Sequence, residues 1–383
     1  MVRTLMIYLD NNASTPLDPR VRDVYINALN TDFANASNEL HELGQSAARA
    51  VEDGRGRIAK HLGRDHREII FTSGATEALT LGILGSPAEK PNILISAIEH
   101  SAVLEAAKLR ALKNGGEVLI APVNSHGEID ADKWSNLLDQ NVGIAVAIVI
   151  NNETGVIAPI AEISRLTRSK GVVLIGDSTQ ALGKLANSRW SNEFDVLCIS
   201  SHKIHGPKGI GVLVLPRDLQ KNFESLIPGG GQQKSIRGGT YNAPGIAALA
   251  EAVSIASEEQ FQYETHFENL SEEFLRVLEQ SGIDFSINGE KVKSVPNTLN
   301  LQIPGVDGEE LILKTPEIAI SLGSACHAGF DTPSHVLTAM GLSRKQCEQS
   351  FRVSFGRQNT KDEVIQAAEL ISNSAIRILE GHK

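Results

Sequence analysis

Between residues 68 and 216 the chain carries six short apolar runs, EIIFTSG, NILISAIEH, VGIAVAIVINNETG, GVVLIGDSTQ, DVLCISSHK and GIGVLVLP. Most give way to Gly, Ser, Asn or Asp, and longer helix-compatible segments lie between them. This alternation predicts α/β layering around a mostly parallel sheet. Ligands of such sheets sit beyond the carboxyl ends of the strands, so the polar residues that follow these runs are the candidates for chemistry.

A chain of 383 residues, 41% of them apolar, can bury a large core and is long enough for two ordinary domains. The pattern changes after GGGQQKSIRGGT. Residues 246 to 280 contain no Gly or Pro and place Phe267, Leu270, Phe274, Val277 and Leu278 at helical spacing, which predicts one long connecting helix. Shorter elements follow in PNTLNLQI, ELILKTPEIAIS and FRVSFGR, which predict a smaller α+β unit.

Lys and Arg total 36 against 46 for Asp and Glu, a net charge of −10. That balance argues against a phosphate backbone as the main partner, so no direct nucleic-acid binding is expected. MVRTLMIYLDNN has no basic stretch followed by an apolar region of the secretory kind, and Val142 to Ile150, the longest apolar run, falls far short of the roughly 18 residues a membrane span needs. The expectation is a cytoplasmic protein without membrane association.

Cys198, Cys326 and Cys347 are too far apart for a CxxC zinc site and too few for a disulfide framework. Cys198 lies within DVLCIS and reads as a small buried hydrophobe. Cys347, in SRKQCEQSF, has no evident chemistry around it. Cys326 differs, because SLGSACHAG surrounds it with small residues that leave a thiol unobstructed.

The strand ends supply the rest. TSGATEA follows a strand and opens a helix, a geometry that favours an anion such as phosphate near Thr76, although Ser and Thr also cap helices for structural reasons alone. GVVLIGD ends in Asp177, with Gln180 three residues on. DVLCIS leads to Ser200, Ser201, His202 and Lys203, where a lysine at a buried strand end can be desolvated and made nucleophilic. Lys184 and Lys208 read as loop lysines. A nucleophilic lysine, a carboxylate for a pyridinium nitrogen and a Ser/Thr/Gly phosphate cup together suit pyridoxal 5′-phosphate. His100, ending NILISAIEH, is placed to stack on such a ring or to relay protons.

YLDNNASTPLDPRV, TSGATEA, NNETGVI, DSTQALGK, SSHKIHGPKGIG, GGGQQKSIRGGT, GSAC and FRVSFGR, taken in order, resemble the group I cysteine desulfurases, of the nitrogen-fixation and iron-sulfur-assembly type, within the class V aminotransferase-like group. The resemblance implies fold type I of the pyridoxal-phosphate-dependent transferases, with a large domain over 16-250 and a smaller one formed by 1-15 and 251-383. It implies that Lys203 bonds the cofactor, Asp177 pairs with its ring nitrogen, Gln180 bonds its phenolic oxygen and His100 stacks on its ring. Thr76, Ser200 and His202 are implied to hold the phosphate, with Thr240 contributed by the other subunit of a homodimer. Asn152 and Arg352 are implied to hold the substrate carboxylate. Independently, Phe351, Val353 and Phe355 alternate on one strand face and turn Arg352 to the other, where its fork suits a carboxylate or a structural salt bridge.

The implied reaction converts L-cysteine to L-alanine, leaves a persulfide on Cys326 and passes that sulfur to an acceptor protein. His100, His327 or the substrate thiol could deprotonate Cys326. DSTQ, SSHK and NASNELH depart from the group's usual residues without removing a reacting group. GSACHAG is also similar to a stretch of the animal-type selenocysteine lyases, so selenocysteine stands as the alternative substrate. A non-enzymatic assembly platform would not need the lysine and aspartate that are present.

Overall fold

The computed structural model describes residues 6–322 and 332–381. Seven strands form one sheet in the order Ile69–Thr72, Gly211–Val214, Val196–Ser200, Val173–Asp177, Val142–Ile148, Asn92–Ser96, Val118–Ala121. Six of them run in one direction, and Gly211–Val214 alone among the seven runs antiparallel to both of its neighbours. The six apolar runs all contribute strands to this sheet. Val118–Ala121, at its edge, is an addition that the pattern of runs did not reveal. Its residues are partly exposed except Ala121, so it lacks the continuous apolar character of the inner strands.

Successive side chains of these strands enter opposite layers, as the pleat requires. Leu197 and Ile199 join a core with Ile58, Trp134, Leu249 and Val253. Val196 and Cys198 join another with Ala78, Leu81, Val103 and Ala107. Helices therefore cover both faces, and the open carboxyl edge of the parallel strands is what remains for a ligand. Cys198 is fully buried, as its run implied.

A separate core is built on Ile7, Leu9, Phe267, Phe274, Leu301, Phe351, Val353, Phe355 and Ile371. Thr298–Gln302 pairs antiparallel with both Ser350–Ser354 and Ser286–Ile287, while Ile7–Tyr8 pairs parallel with Ile318–Ala319. Ile7 and Leu9 of the amino-terminal segment thus lie in the core of the carboxyl-terminal residues. The segment then crosses to the large sheet.

The long helix expected over 246 to 280 is two helices, Ala243–Glu258 and Gln260–Gln280, broken at Glu259 (φ −99°, ψ 6°). The first buries Ile246, Leu249 and Val253 in a core of the large sheet, and the second buries Phe267, Phe274 and Leu278 in the other core. The break lets one continuous stretch free of Gly and Pro serve two differently placed cores. Glu259 at the break is held by Arg20, at 2.5 Å, and by the Tyr263 hydroxyl. No described helix is long and apolar enough to cross a membrane.

Gly211 sets how closely the sheet approaches the turn before the Ala75–Gly85 helix. A Cβ there would stand 2.7 Å from both Gly74 Cα and Ile199 O. Replacing Gly211 with Ala must push the backbone at Gly74 outward, so the variant is expected to lose about 1–3 kcal/mol of stability. Urea unfolding of the two proteins measures the difference, and an unchanged midpoint would contradict the packing described.

Candidate active site

The carboxyl ends of the parallel strands open into a cavity of about 490 Å³. Asp177 ends one strand; Ser200 ends the next, and the single turn Ser201–Lys203 that follows carries His202 and Lys203. Thr76, His100, Asn152, Asp177, Gln180, Ser200, His202, Lys203 and Arg352 all line this one space. These nine residues were singled out in the sequence, and the fold brings them together from six separate stretches of chain.

Lys203 donates from Nζ to the carbonyl oxygens of Asn12, at 2.5 Å, and Ala13, at 2.8 Å. Asp177 is buried, and its Oδ1 accepts the Thr179 N–H at 3.0 Å. His202 bonds Ser14 Oγ through Nδ1 at 3.2 Å. Burial, then the positive charges of Lys203 and Lys208, push its pKa down to about 4. His202 is therefore a neutral hydrogen-bonding group near neutral pH. His100 caps the Ser101–Asn114 helix, its Nδ1 accepting the Ala102 N–H at 3.1 Å. That bond places the proton of a neutral ring on Nε2.

Arg352 lies on the strand face opposite Phe351, Val353 and Phe355, as the alternation implied, and it makes a structural salt bridge. Its side chain lines the cavity while Nη2 pairs with Asp10 Oδ1 at 2.6 Å and Nη1 donates to Asn152 O at 2.8 Å. Asp10 sits in the YLDNN motif, yet nothing local marks it as the partner of a residue 342 positions away. Asn12 was likewise unassigned. Its side chain donates to Asn152 O and Thr298 Oγ1 and accepts from Lys184 Nζ.

Two expected residues stand apart. Thr240 is exposed and is not among the cavity's lining residues in the single chain. The segment before it is tied to the cavity, since Arg237 pairs with Glu77 at 2.7 Å. Cys326 and its neighbour His327 lie outside the described residues. On one side of that stretch Ser321 exchanges backbone hydrogen bonds with Arg352. On the other, Ser334 Oγ donates to Glu153 Oε2 at 2.6 Å and His335 Nε2 lies 2.9 Å from Glu99 O. Cys198 and Cys347 are both buried free thiols, each pushed up in pKa chiefly by that burial.

The donor set fits pyridoxal phosphate. The Ala75–Gly85 helix begins at Gly74 with no side-chain cap, so its first N–H groups and its dipole favour an anion. Ser200, Thr76 and His202 line the same cavity. Thr179 Oγ1, beside Asp177, is buried without a hydrogen-bond partner among the described residues, which in a folded protein calls for a polar group. An amine, a buried carboxylate and an anion cradle at one cavity match an aldehyde, a basic ring nitrogen and a phosphate.

A family model described as aminotransferase class-V matches residues 7–366. The chain is 37% identical over 371 residues to a cysteine desulfurase IscS of Rickettsia bellii (strain OSU 85-389), covering 96% of this chain and 90% of that one. A solved NifS-like protein superposes with a TM-score of 0.87 at 32% identity, covering 96% of this chain and 98% of its own. The structure of SspA in complex with cysteine superposes with a TM-score of 0.76 at 31% identity, covering 91% and 98%.

Glu99, wholly buried behind the strand ends, accepts from Ser96 Oγ at 2.5 Å and from the Ile148 N–H at 2.8 Å. Burial pushes its carboxyl up to about 8, with Asp177 adding to the rise and the two donors opposing it. A raised acid means that the folded state keeps a proton the unfolded chain has already lost. Stability is therefore drained as pH rises from the ordinary carboxylate range toward about 8, and levels off above it. Glu99→Gln removes the titration and keeps the shape. Thermal unfolding of both proteins is expected to show the variant gaining on the wild type with rising pH, and parallel profiles would refute the assignment.

Proposed function

The chain belongs to the aminotransferase class-V family, and on that footing we propose that it is a pyridoxal-phosphate-dependent cysteine desulfurase, converting L-cysteine to L-alanine. The observation that carries this reading is the convergence of Lys203, Asp177 and Arg352, from three distant elements, on one cavity. The names of its relatives and the cysteine bound in SspA support cysteine, rather than selenocysteine, as the substrate.

Each residue acts from its position. Lys203 Nζ, held at the strand end, is the attachment point for the cofactor's aldehyde. Asp177 keeps a proton on the ring nitrogen by charge pairing. Ser200, Thr76, neutral His202 and the helix N-terminus hold the phosphate, Gln180 bonds the phenolic oxygen and His100 lies against the ring. When bound, the cofactor supplies an electron sink for the bonds at the substrate Cα. Arg352, oriented by Asp10, takes the substrate carboxylate together with Asn152. Lys203, released by the incoming amino group, would take the proton from the substrate Cα and hold it on Nζ, from which a proton would be restored to that carbon before alanine leaves. The Cys326 thiolate attacks the substrate sulfur, so that the Cβ–S bond breaks with its electron pair left on carbon and an S–S bond forms. Protonation releases alanine and leaves a persulfide on Cys326.

The same reading divides the chain into a large part over 16-250 and a small part formed by 1-15 and 251-383. It makes the enzyme a cytoplasmic homodimer in which Thr240 reaches the partner's phosphate site. The exposure of Thr240 away from its own cavity supports that arrangement. An acceptor protein then takes the persulfide sulfur, as iron-sulfur cluster assembly requires.

The test begins with the purified protein's absorbance near the visible edge. A band abolished by borohydride and missing from Lys203→Ala is expected. With L-cysteine and a thiol reductant, wild type is expected to release sulfide and alanine in equal amounts. Cys326→Ser is expected to lose on the order of a hundredfold or more in rate while keeping the band. Undiminished sulfide release from Cys326→Ser, or no band in the wild type, would overturn the proposal.

A further inference from the structure

Lys184 was read from the sequence as a loop lysine, and the fold places its amine inside the site. Its Nζ lies 2.5 Å from Gln180 Oε1 and 2.7 Å from Asn12 Oδ1. It contributes no surface to the cavity itself. It stands behind two amides that do, and its hydrogen bonds to the site run through them.

The two ends of an amide differ in what they can do: the oxygen accepts and the nitrogen carries two donors. Gln180 meets a partner at each end. The carbonyl oxygen of Asn12, which can only accept, takes Gln180 Nε2 at 2.9 Å. The amine of Lys184 donates to Gln180 Oε1. Both demands select the same orientation. The second N–H of Nε2 is then the group that Gln180, which is 4% exposed and lines the cavity, has left to offer a ligand.

The Asn12 bond alone is a weak lock, because the same carbonyl oxygen also accepts from Lys203 at 2.5 Å. Lys203 is the residue whose amine must change partners in the reaction proposed above. Lys184 supplies the constant half of the lock. Were its donor removed, Gln180 Oε1 would be left as a buried acceptor without a partner, a cost of about 1–3 kcal/mol that turning the amide relieves. Burial, then the positive charges of Lys203 and Arg352, lower the Lys184 pKa well below that of an ordinary lysine. Even a neutral amine has two N–H bonds, and two acceptors are in place for them.

We propose that Lys184 is a positioning residue that sets the polarity of the Gln180 amide, so that position 180 presents a donor and never an acceptor to the cofactor's phenolic oxygen. The proposal rests on the pyridoxal-phosphate reading and adds to it the residue that enforces one of its contacts. A donor on that oxygen draws off negative charge. Losing the donor leaves the oxygen more basic, and it then retains a nearby proton to higher pH.

The experiment titrates the absorbance band of the cofactor-loaded enzyme against pH, without substrate, in wild type, Lys184→Met, Gln180→Ala and the double variant. If the wild type shows no borohydride-sensitive band, the functional reading itself fails and the cycle is not reached. If it does, Lys184→Met is expected to raise the titration midpoint by about one pH unit, the equivalent of one ordinary hydrogen bond. In the Gln180→Ala background the same replacement is expected to shift it by less than about 0.3 unit, because the group through which Lys184 acts is gone. A midpoint unmoved by Lys184→Met, or moved equally in both backgrounds, overturns the proposal. Lys184→Ala carries the same cycle should the methionine variant fail to fold. A role limited to stability would lower the melting temperature and leave the midpoint where it is.

Discussion

The site depends on two main-chain carbonyls, those of Asn12 and Ala13, that receive the Lys203 ammonium. A partly buried amine without acceptors is costly. The sheet that carries Lys203 does not provide these acceptors at its open edge. They come from the amino-terminal segment, which is anchored in the other core by Ile7 and Leu9 and held by Ser354, whose Oγ accepts the Asn12 N–H at 3.0 Å. Lys203 from the sheet, the carbonyls from the amino terminus and Arg352 from the carboxyl-terminal strand meet only because that segment bridges the two cores.

Charge within the site is settled by burial as much as by pairing. Arg352 keeps a partner in Asp10, and Glu77 keeps one in Arg237. Burial would push Glu77 up, but Arg237 and the Ser73 N–H hold it below the usual carboxylate range. Among the described residues His202 and Glu99 have no comparable ion pair and shed charge instead, one by losing a proton and the other by keeping one. The cavity is thus lined by a few retained charges at separated points, with neutral donors between them. That arrangement suits a ligand bearing a phosphate, a ring nitrogen and an amino acid.

Strand ends were legible because a buried strand announces itself by composition and the residue after it is forced to the edge. Asp177, Ser200, His202 and Lys203 were found in this way, and Arg352 by period-two alternation. Lys184 and Glu99 were not. A lysine two residues after Ala-Leu in a turn has no local mark of burial, although its position four residues after Gln180 is the spacing that lets side chains meet across one helical turn. Glu99 stood beside His100, and only the packing of the Ile148 strand against it shows that it is wholly enclosed. The break at Glu259 escaped because helical periodicity continues through it. What ends the helix is a change of core, which a local pattern does not record.

By itself the sequence determined the layered α/β class, the strands of the large sheet except Val118–Ala121, and the chemical identity of the groups at their ends, because these follow from local periodicity and residue type. Tertiary structure decided which acceptors receive Lys203, that Arg352 faces Asp10 across 342 positions, and which way the Gln180 amide points. Those are properties of distances between chain segments that no spacing encodes. Hydrogen bonds and charge pairs act over a few ångströms, and only the packed fold brings those atoms within that range.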